Sequence, residues 1–159
     1  MGEQHQRFLS RLGASSRAVF AVALAQHLKG RAVEIPPLAF APDAREHSRY
    51  VDGGDLYVTV GESRLRFEVK HLGVEFTCRS DWPFREVFVS NAAAVERAEG
   101  SAKFYVSVNK SITHAAVISD RTSGEWYIRE ARARNTGNFE RYYACPLELV
   151  SFERLTFDV

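Results

Sequence analysis

Two neighbouring segments of the chain alternate apolar and polar side chains in the manner of β-strands. The apolar positions are Leu56, Val58, Val60, Leu65, Phe67 and Val69. The polar positions between them include Asp55, Tyr57, Thr59, Arg66, Glu68 and Lys70. Successive side chains of a strand point to opposite faces, and the intervening Gly61-Glu62-Ser63 suits a short turn. The pattern predicts an antiparallel hairpin with one apolar face and one charged face.

The remaining pattern predicts two helices and several further strands. Residues 17–29 read as an alanine-rich, largely apolar helix, preceded by a helical turn or two at 3–12 that Gly13 interrupts. A compact helix at 92–99 is expected to start at Asn91 as its N-cap. Strand-like segments lie at 31–35, 74–78, 87–90, 103–108, 115–119, 125–130, 142–145 and 147–152. This order predicts an α+β domain, and no long linker or repeat divides it.

Composition narrows the class of protein without naming a function. A chain of 159 residues with 45% hydrophobic residues is expected to form one domain, 1–159. The net charge of +1 gives no strong overall field, so binding of nucleic acid would need a local basic patch. Cys78 and Cys145 lack the spacing of a zinc site and are expected to be small core residues. Without a membrane-length apolar run or a signal-peptide pattern, no membrane association and a cytoplasmic location are expected.

The charged face of the predicted hairpin carries two carboxylates and an ammonium. Asp55, Glu68 and Lys70 can converge there above a buried apolar layer, which is the composition of a divalent-metal phosphodiesterase site. An Asp, a hairpin-length gap and then Glu-x-Lys at the end of an apolar strand resembles the PD-(D/E)XK nuclease superfamily. The spacing is similar to that of its small Holliday-junction resolvases, although Gly54 stands where the family name has Pro.

The resemblance implies a fold and a set of site residues. The implied fold is a restriction-endonuclease-like αβββαβ core, with a mixed central sheet flanked by helices and additional strands at the C-terminus. Mg²⁺ or Mn²⁺ would bind Asp55, Glu68 and the backbone carbonyl of Val69, and Lys70 would assist the attacking water or the phosphate. The family commonly adds an acid from its first helix, and Glu3 is the first candidate. The implied activity is endonuclease-like hydrolysis of nucleic acid, with DNA expected and RNA left open.

Candidate contacts to nucleic acid are less specific, and other interpretations of the charged face stay open. The candidate contacts are Lys110, Arg129, Arg132 and Arg134. Basic and aromatic residues together suit phosphate contact and base stacking, but the solvated face of any strand produces the same pattern. The charged hairpin face is also compatible with a non-catalytic nucleic-acid- or protein-binding module on the same fold, or with an ordinary salt-bridge network. The size of the chain permits a homodimer, which would suit cleavage of two strands.

Overall fold

The structure of the protein, a computed structural model, describes residues 3–36, 55–97, 102–132 and 137–155, and for residues 3–12, 55 and 97 it describes the backbone alone. The helices are α1 (Glu3–Leu28) and α2 (Ala92–Arg97). The strands are β1 (Ala32–Glu34), β2 (Asp55–Val60), β3 (Ser63–His71), β4 (Glu86–Asn91), β5 (Phe104–Val108), β6 (His114–Ser119), β7 (Tyr127–Arg132), β8 (Phe139–Pro146) and β9 (Ser151–Arg154). Neither α1 nor α2 combines the length and apolar composition of a membrane-spanning helix.

The strands form two sheets, which we call sheet A and sheet B. Sheet A has the order β1-β2-β3-β5-β6-β9, and sheet B has the order β4-β8-β7. In sheet A the β3–β5 pair is parallel and the other pairs are antiparallel. The connection from β3 to β5 contains β4 and α2, because parallel neighbours need a crossover. The predicted α+β class with a mixed sheet is confirmed.

Sheet A is covered on one face by α1, and on the other face sheet B packs over β5 and β6. Helix residues such as Ala18 and Val22 pack with Leu56, Phe67 and Val106 of sheet A in the first core. A second core joins residues of β5 and β6 to residues of β4 and β8, among them Tyr105, Ile118, Val87 and Cys145. The second face therefore packs against a sheet, whereas the resemblance implies helices on both sides. Helix α2 contacts β4 and β8 instead.

Three predictions of secondary structure were wrong. Leu147–Leu149, expected to belong to the strand 147–152, forms a 3-10 turn, and the strand there is Ser151–Arg154. Gly13 does not interrupt the first helix, because α1 runs without a break from Glu3 to Leu28 and a helix tolerates one glycine at a cost of about 1 kcal/mol. The segment 74–78 is not a strand. The Asp81 carboxylate accepts hydrogen bonds from the Thr77 N–H at 2.8 Å, the Thr77 hydroxyl at 2.6 Å and the Cys78 N–H at 2.9 Å, which ties the end of this segment to the 3-10 turn Arg79–Asp81.

The two cysteines differ from each other in burial. Cys145 is buried in the core between the sheets, as expected. Cys78 is exposed, because it lies in the turn that Asp81 organises and not in a strand. The expectation that Cys78 is a core residue was therefore wrong.

The Asp81 turn should be sensitive to acid. The Thr77 hydroxyl and the N–H groups of Cys78 and Thr77 lower the pKa of the Asp81 carboxyl from 3.8 to about 2. Because the folded pKa lies below the unfolded value, the stabilisation is complete above pH 3.8 and is lost as pH falls through about 2. We expect an NMR titration of the Asp81 carboxyl to have its midpoint near 2. The nearly isosteric Thr77→Val should raise this midpoint, and an unchanged midpoint would contradict the assigned hydrogen bond.

Candidate active site

The β2–β3 hairpin brings the two predicted acidic positions into direct register. Asp55 pairs with Glu68, and Tyr57 pairs with Arg66. The turn is closed at Gly61, whose φ of 62° lies in the left-handed region that glycine adopts readily. Residues directly opposite in an antiparallel pair share one face of the sheet. The backbone thus sets Asp55 opposite Glu68 on the sheet B side, while the side chain of Asp55 lies outside the described part.

Glu68 lies between two cations and a hydroxyl. One carboxylate oxygen is 3.7 Å from an Arg66 guanidinium nitrogen, and the other is 3.7 Å from the Lys70 ammonium. The Ser90 hydroxyl donates to the second oxygen at 3.1 Å. The Glu68 side chain keeps 24% of its surface accessible, so it can still reach solvent. The charge of Glu68 also acts on Tyr105, its neighbour on β5; burial and this charge raise the pKa of the tyrosine hydroxyl.

Lys70 is tied to β4 as well as to Glu68. Its Nζ donates to the Val89 carbonyl at 2.6 Å, and 35% of its side chain remains accessible. Burial lowers the pKa of the Lys70 ammonium, and the Glu68 carboxylate raises it in part. The charged end of Lys70 is therefore oriented by a fixed carbonyl at the place where the two sheets meet.

A β-bulge in β4 supplies the Val89 carbonyl. Phe88 pairs with Ala144 and Ser90 pairs with Tyr143, so that Val89 is an extra residue without a partner on β8. The bulge allows Val89 and Ser90 to be buried in succession, and both contact the β3 site. Neither residue was among the predicted site residues. The sequence alone does not mark them, because their contacts with β3 depend on the packing of a second sheet against the first.

The Val69 carbonyl points toward the β2 side of β3. Arg66 and Leu72 form backbone hydrogen bonds on the β5 side, at 2.8 Å each. Polar backbone groups of alternate residues turn to opposite neighbours, so Val69 faces β2. It lies one position past the Asp55–Glu68 rung, the last described rung of this ladder. The predicted third oxygen ligand is therefore next to the Asp55 position.

The remaining predicted residues do not join this group. The side chain of Glu3 and all of Arg134 lie outside the described residues. Lys110 lies in the β5–β6 turn, where its N–H donates to the Val74 carbonyl at 2.9 Å. Within the described residues, no three or more His, Cys, Asp or Glu side chains form a group that could hold a metal ion.

The two described arginines of the β7–β8 hairpin occupy opposite faces. Arg129 pairs in register with Tyr142, whose ring stacks on Phe88 on the outer face of sheet B, and it forms an ion pair with Glu86 at 3.1 Å. Arg132 belongs to the other face, with its guanidinium carbon 5.1 Å from the Phe139 ring centroid. Arg129 therefore faces away from Glu68, which contacts the inner face of sheet B.

A scan against protein-family models, a search of curated proteins and a search of solved structures each found no match to this chain. A function is therefore inferred from the geometry of the site and from the resemblance of its Asp…Glu-x-Lys motif to that of the nuclease superfamily.

Proposed function

We propose that this chain is a metal-dependent phosphodiesterase, an endonuclease-like hydrolase that cleaves nucleic acid, with DNA as the expected substrate. One observation carries the proposal: Glu68 and Lys70 meet at 3.7 Å on the accessible side of β3, and Asp55 lies directly opposite Glu68. Two acidic positions in register and an adjacent ammonium match what phosphodiester cleavage needs, namely metal binding and charge compensation.

The order of elements supports the same proposal. Helix α1, strands β1 to β3, helix α2 and strand β5 follow one another along the chain, with β4 inserted before α2. Apart from that insertion, the order is similar to the αβββαβ order that the resemblance implies. The acidic residues Asp55 and Glu68 lie on the paired strands β2 and β3, which carry the motif on which the resemblance depends.

The residues at the site fit Mg²⁺ or Mn²⁺ by the chemistry of their donors. These ions prefer oxygen ligands and retain several waters. A carboxylate offers about four acceptor sites, so the bonds of Glu68 to Ser90 and Arg66 leave acceptor capacity. Asp55, Glu68 and the Val69 carbonyl would hold the ion. A bound divalent ion would lower the pKa of a coordinated water and neutralise charge at the phosphorus.

Lys70 would act on the substrate itself. Its ammonium has three donors, and the Val89 carbonyl takes one of them. The remaining N–H groups would donate to a non-bridging phosphate oxygen or hold the attacking water. The fixed carbonyl limits the directions of those donors, which is the preorganisation that stabilises a transition state.

A second candidate function is a non-catalytic nucleic-acid- or protein-binding module. The observation in its favour is that the described charges already satisfy one another, because Arg66, Lys70 and Ser90 surround Glu68 and Val89 binds Lys70. Such a module would bind nucleic acid without metal, and its affinity would fall steeply with salt.

Glu68→Gln should abolish cleavage while leaving the fold intact. The amide keeps an acceptor for Ser90 but is a poor ligand for a divalent ion, so Mn²⁺-dependent cleavage should fall at least about 100-fold. Plasmid, single-stranded, branched and RNA substrates would be compared on gels, with circular dichroism to verify folding. Asp55→Asn should behave in the same way.

Glu62→Gln provides the matched control, because Glu62 is an exposed glutamate in the turn of the same hairpin. It should cleave like the unchanged protein. Cleavage that survives in Glu68→Gln would refute the proposed site. If the unchanged protein binds nucleic acid in the presence of EDTA and cleaves no substrate with Mn²⁺, the second candidate function is correct.

Ser90→Ala should weaken metal binding, since the Ser90 hydroxyl orients the Glu68 carboxylate. Loss of such a supporting hydrogen bond typically costs about 10–100-fold in metal affinity. Isothermal titration with Mn²⁺ measures this directly, and excess Mn²⁺ should restore cleavage. Ser107→Ala is the matched control, because Ser107 is equally buried at 5% and lies beside Lys70 in register. Equal Mn²⁺ affinity in both variants would mean that Ser90 does not position Glu68.

A further inference from the structure

Among the described residues, the apolar core between the two sheets does not extend over β1, β2 and β3. Its described residues come from β4, β5, β6, β8, β9 and the loops. We call the surface of β1–β3 on that side the hairpin face. It consists of Glu34, Asp55, Tyr57, Thr59, Arg64, Arg66, Glu68 and Lys70, which share one side of β1–β3 by register.

Arg64 lies on this face and contacts two neighbouring side chains. The Arg64 guanidinium carbon lies 3.8 Å from the centroid of the Tyr57 ring, and one nitrogen is 2.8 Å from a Glu34 carboxylate oxygen. Arg64 and Glu34 remain 55% and 63% exposed, and an ion pair this exposed is weak. The Arg64 guanidinium thus contacts the Tyr57 ring while more than half of the Arg64 side chain is open to solvent, and Glu34 engages one of its five N–H donors.

Arg66 and Arg64 follow the candidate site in a line. The rungs Asp55–Glu68, Tyr57–Arg66 and Thr59–Arg64 succeed one another on the same face. Same-face rungs are about 7 Å apart in an antiparallel pair. This repeat is comparable with the separation of neighbouring phosphates along a polynucleotide strand, so a strand with its scissile phosphodiester at Glu68 would meet Arg66 and then Arg64.

The charge of the hairpin face suits a polyanion once a metal is bound. It carries three acidic residues, Glu34, Asp55 and Glu68, and three cationic residues, Arg64, Arg66 and Lys70. The face is balanced without a metal, and a divalent ion at Asp55 and Glu68 would leave it with two positive charges. Attraction of a nucleic acid to this face should therefore depend on the ion.

We propose that the hairpin face binds a single-stranded segment of nucleic acid next to the scissile bond, with Arg66 and the edge of Arg64 on successive phosphates and the outer plane of Arg64 under an unpaired base. Arginine planes and aromatic rings stack unpaired bases, whereas the bases of a duplex hide their faces. The position of the scissile bond rests on the proposed function. The nucleic-acid strand would run along β2 and β3 and not along the outer face of sheet B.

The test is binding of a labelled single-stranded oligonucleotide and of its duplex, measured by fluorescence anisotropy with Ca²⁺ as the divalent ion. The unchanged protein should prefer the single strand, and its affinity should fall when EDTA removes the ion. Arg64→Ala should weaken single-strand binding at least about fivefold and lower the salt slope by about one. Tyr57→Leu should reduce the preference for the single strand.

Arg129→Ala is the matched control. Arg129 also forms an ion pair with a glutamate and lies near a tyrosine ring, at 5.8 Å from the Tyr127 centroid, but on the outer face of sheet B. It should bind like the unchanged protein. A loss with Arg129→Ala and none with Arg64→Ala would overturn the inference, as would equal binding of duplex and single strand. Thermal melting of both variants verifies that they are folded.

The outcomes separate this inference from the proposed function. If Glu68→Gln abolishes cleavage and Arg64→Ala leaves KM for single-stranded DNA unchanged, the nuclease proposal stands and the hairpin-face inference is wrong. If Arg64→Ala removes single-strand binding and the unchanged protein cleaves nothing with Mn²⁺, the binding face stands and the nuclease proposal is wrong.

Discussion

The two-residue repeat of β3 constrains both the core of the protein and its candidate site. Strand β3 is paired on both edges, with β2 and with β5, so each of its side chains must point to one face of sheet A or to the other. Phe67 and Val69 are buried against α1, and Glu68 and Lys70 consequently face the other side. A slip of one residue would exchange the two sets, and the register is therefore fixed by the burial of the apolar set.

The packing of sheet B determines how much of that other side is excluded from solvent. Among the described residues, sheet B closes the core over β5 and β6, and Val89 and Ser90 form hydrogen bonds with Lys70 and Glu68 of β3. The bulge that makes this contact places a backbone carbonyl against Lys70 and a hydroxyl against Glu68. The site is therefore half-covered, and burial lowers the pKa of Lys70 while Glu68 stays accessible. Reactive groups held in such a partly desolvated place are typical of functional sites.

The part of the site that could be predicted from the sequence is the part that depends on local periodicity. Alternation and turn length were enough to align Asp55 with Glu68 and to place Lys70 on the same face, because both effects act within sixteen residues. The contact of Ser90 with Glu68 could not be predicted from the sequence, since it requires the packing of a second sheet against the first. The strand predicted at 74–78 is absent for a local reason. The Asp81 carboxylate accepts hydrogen bonds from backbone N–H groups that would pair with a neighbouring strand if this segment belonged to a sheet. Helix α1 was longer than predicted, because the interruption expected at Gly13 did not occur.

The register of the two acids argues for an ion over an ordinary salt-bridge network. Like charges directly opposite on antiparallel strands repel each other, and the backbone register sets Asp55 opposite Glu68, a carboxylate that Arg66 and Lys70 flank. A second carboxylate in this position becomes favourable when a small divalent cation lies between the two, since each acid then has a shared partner of opposite charge. The same cation would turn a balanced hairpin face into a positive one, which joins the chemistry proposed at Glu68 to the binding proposed at Arg64.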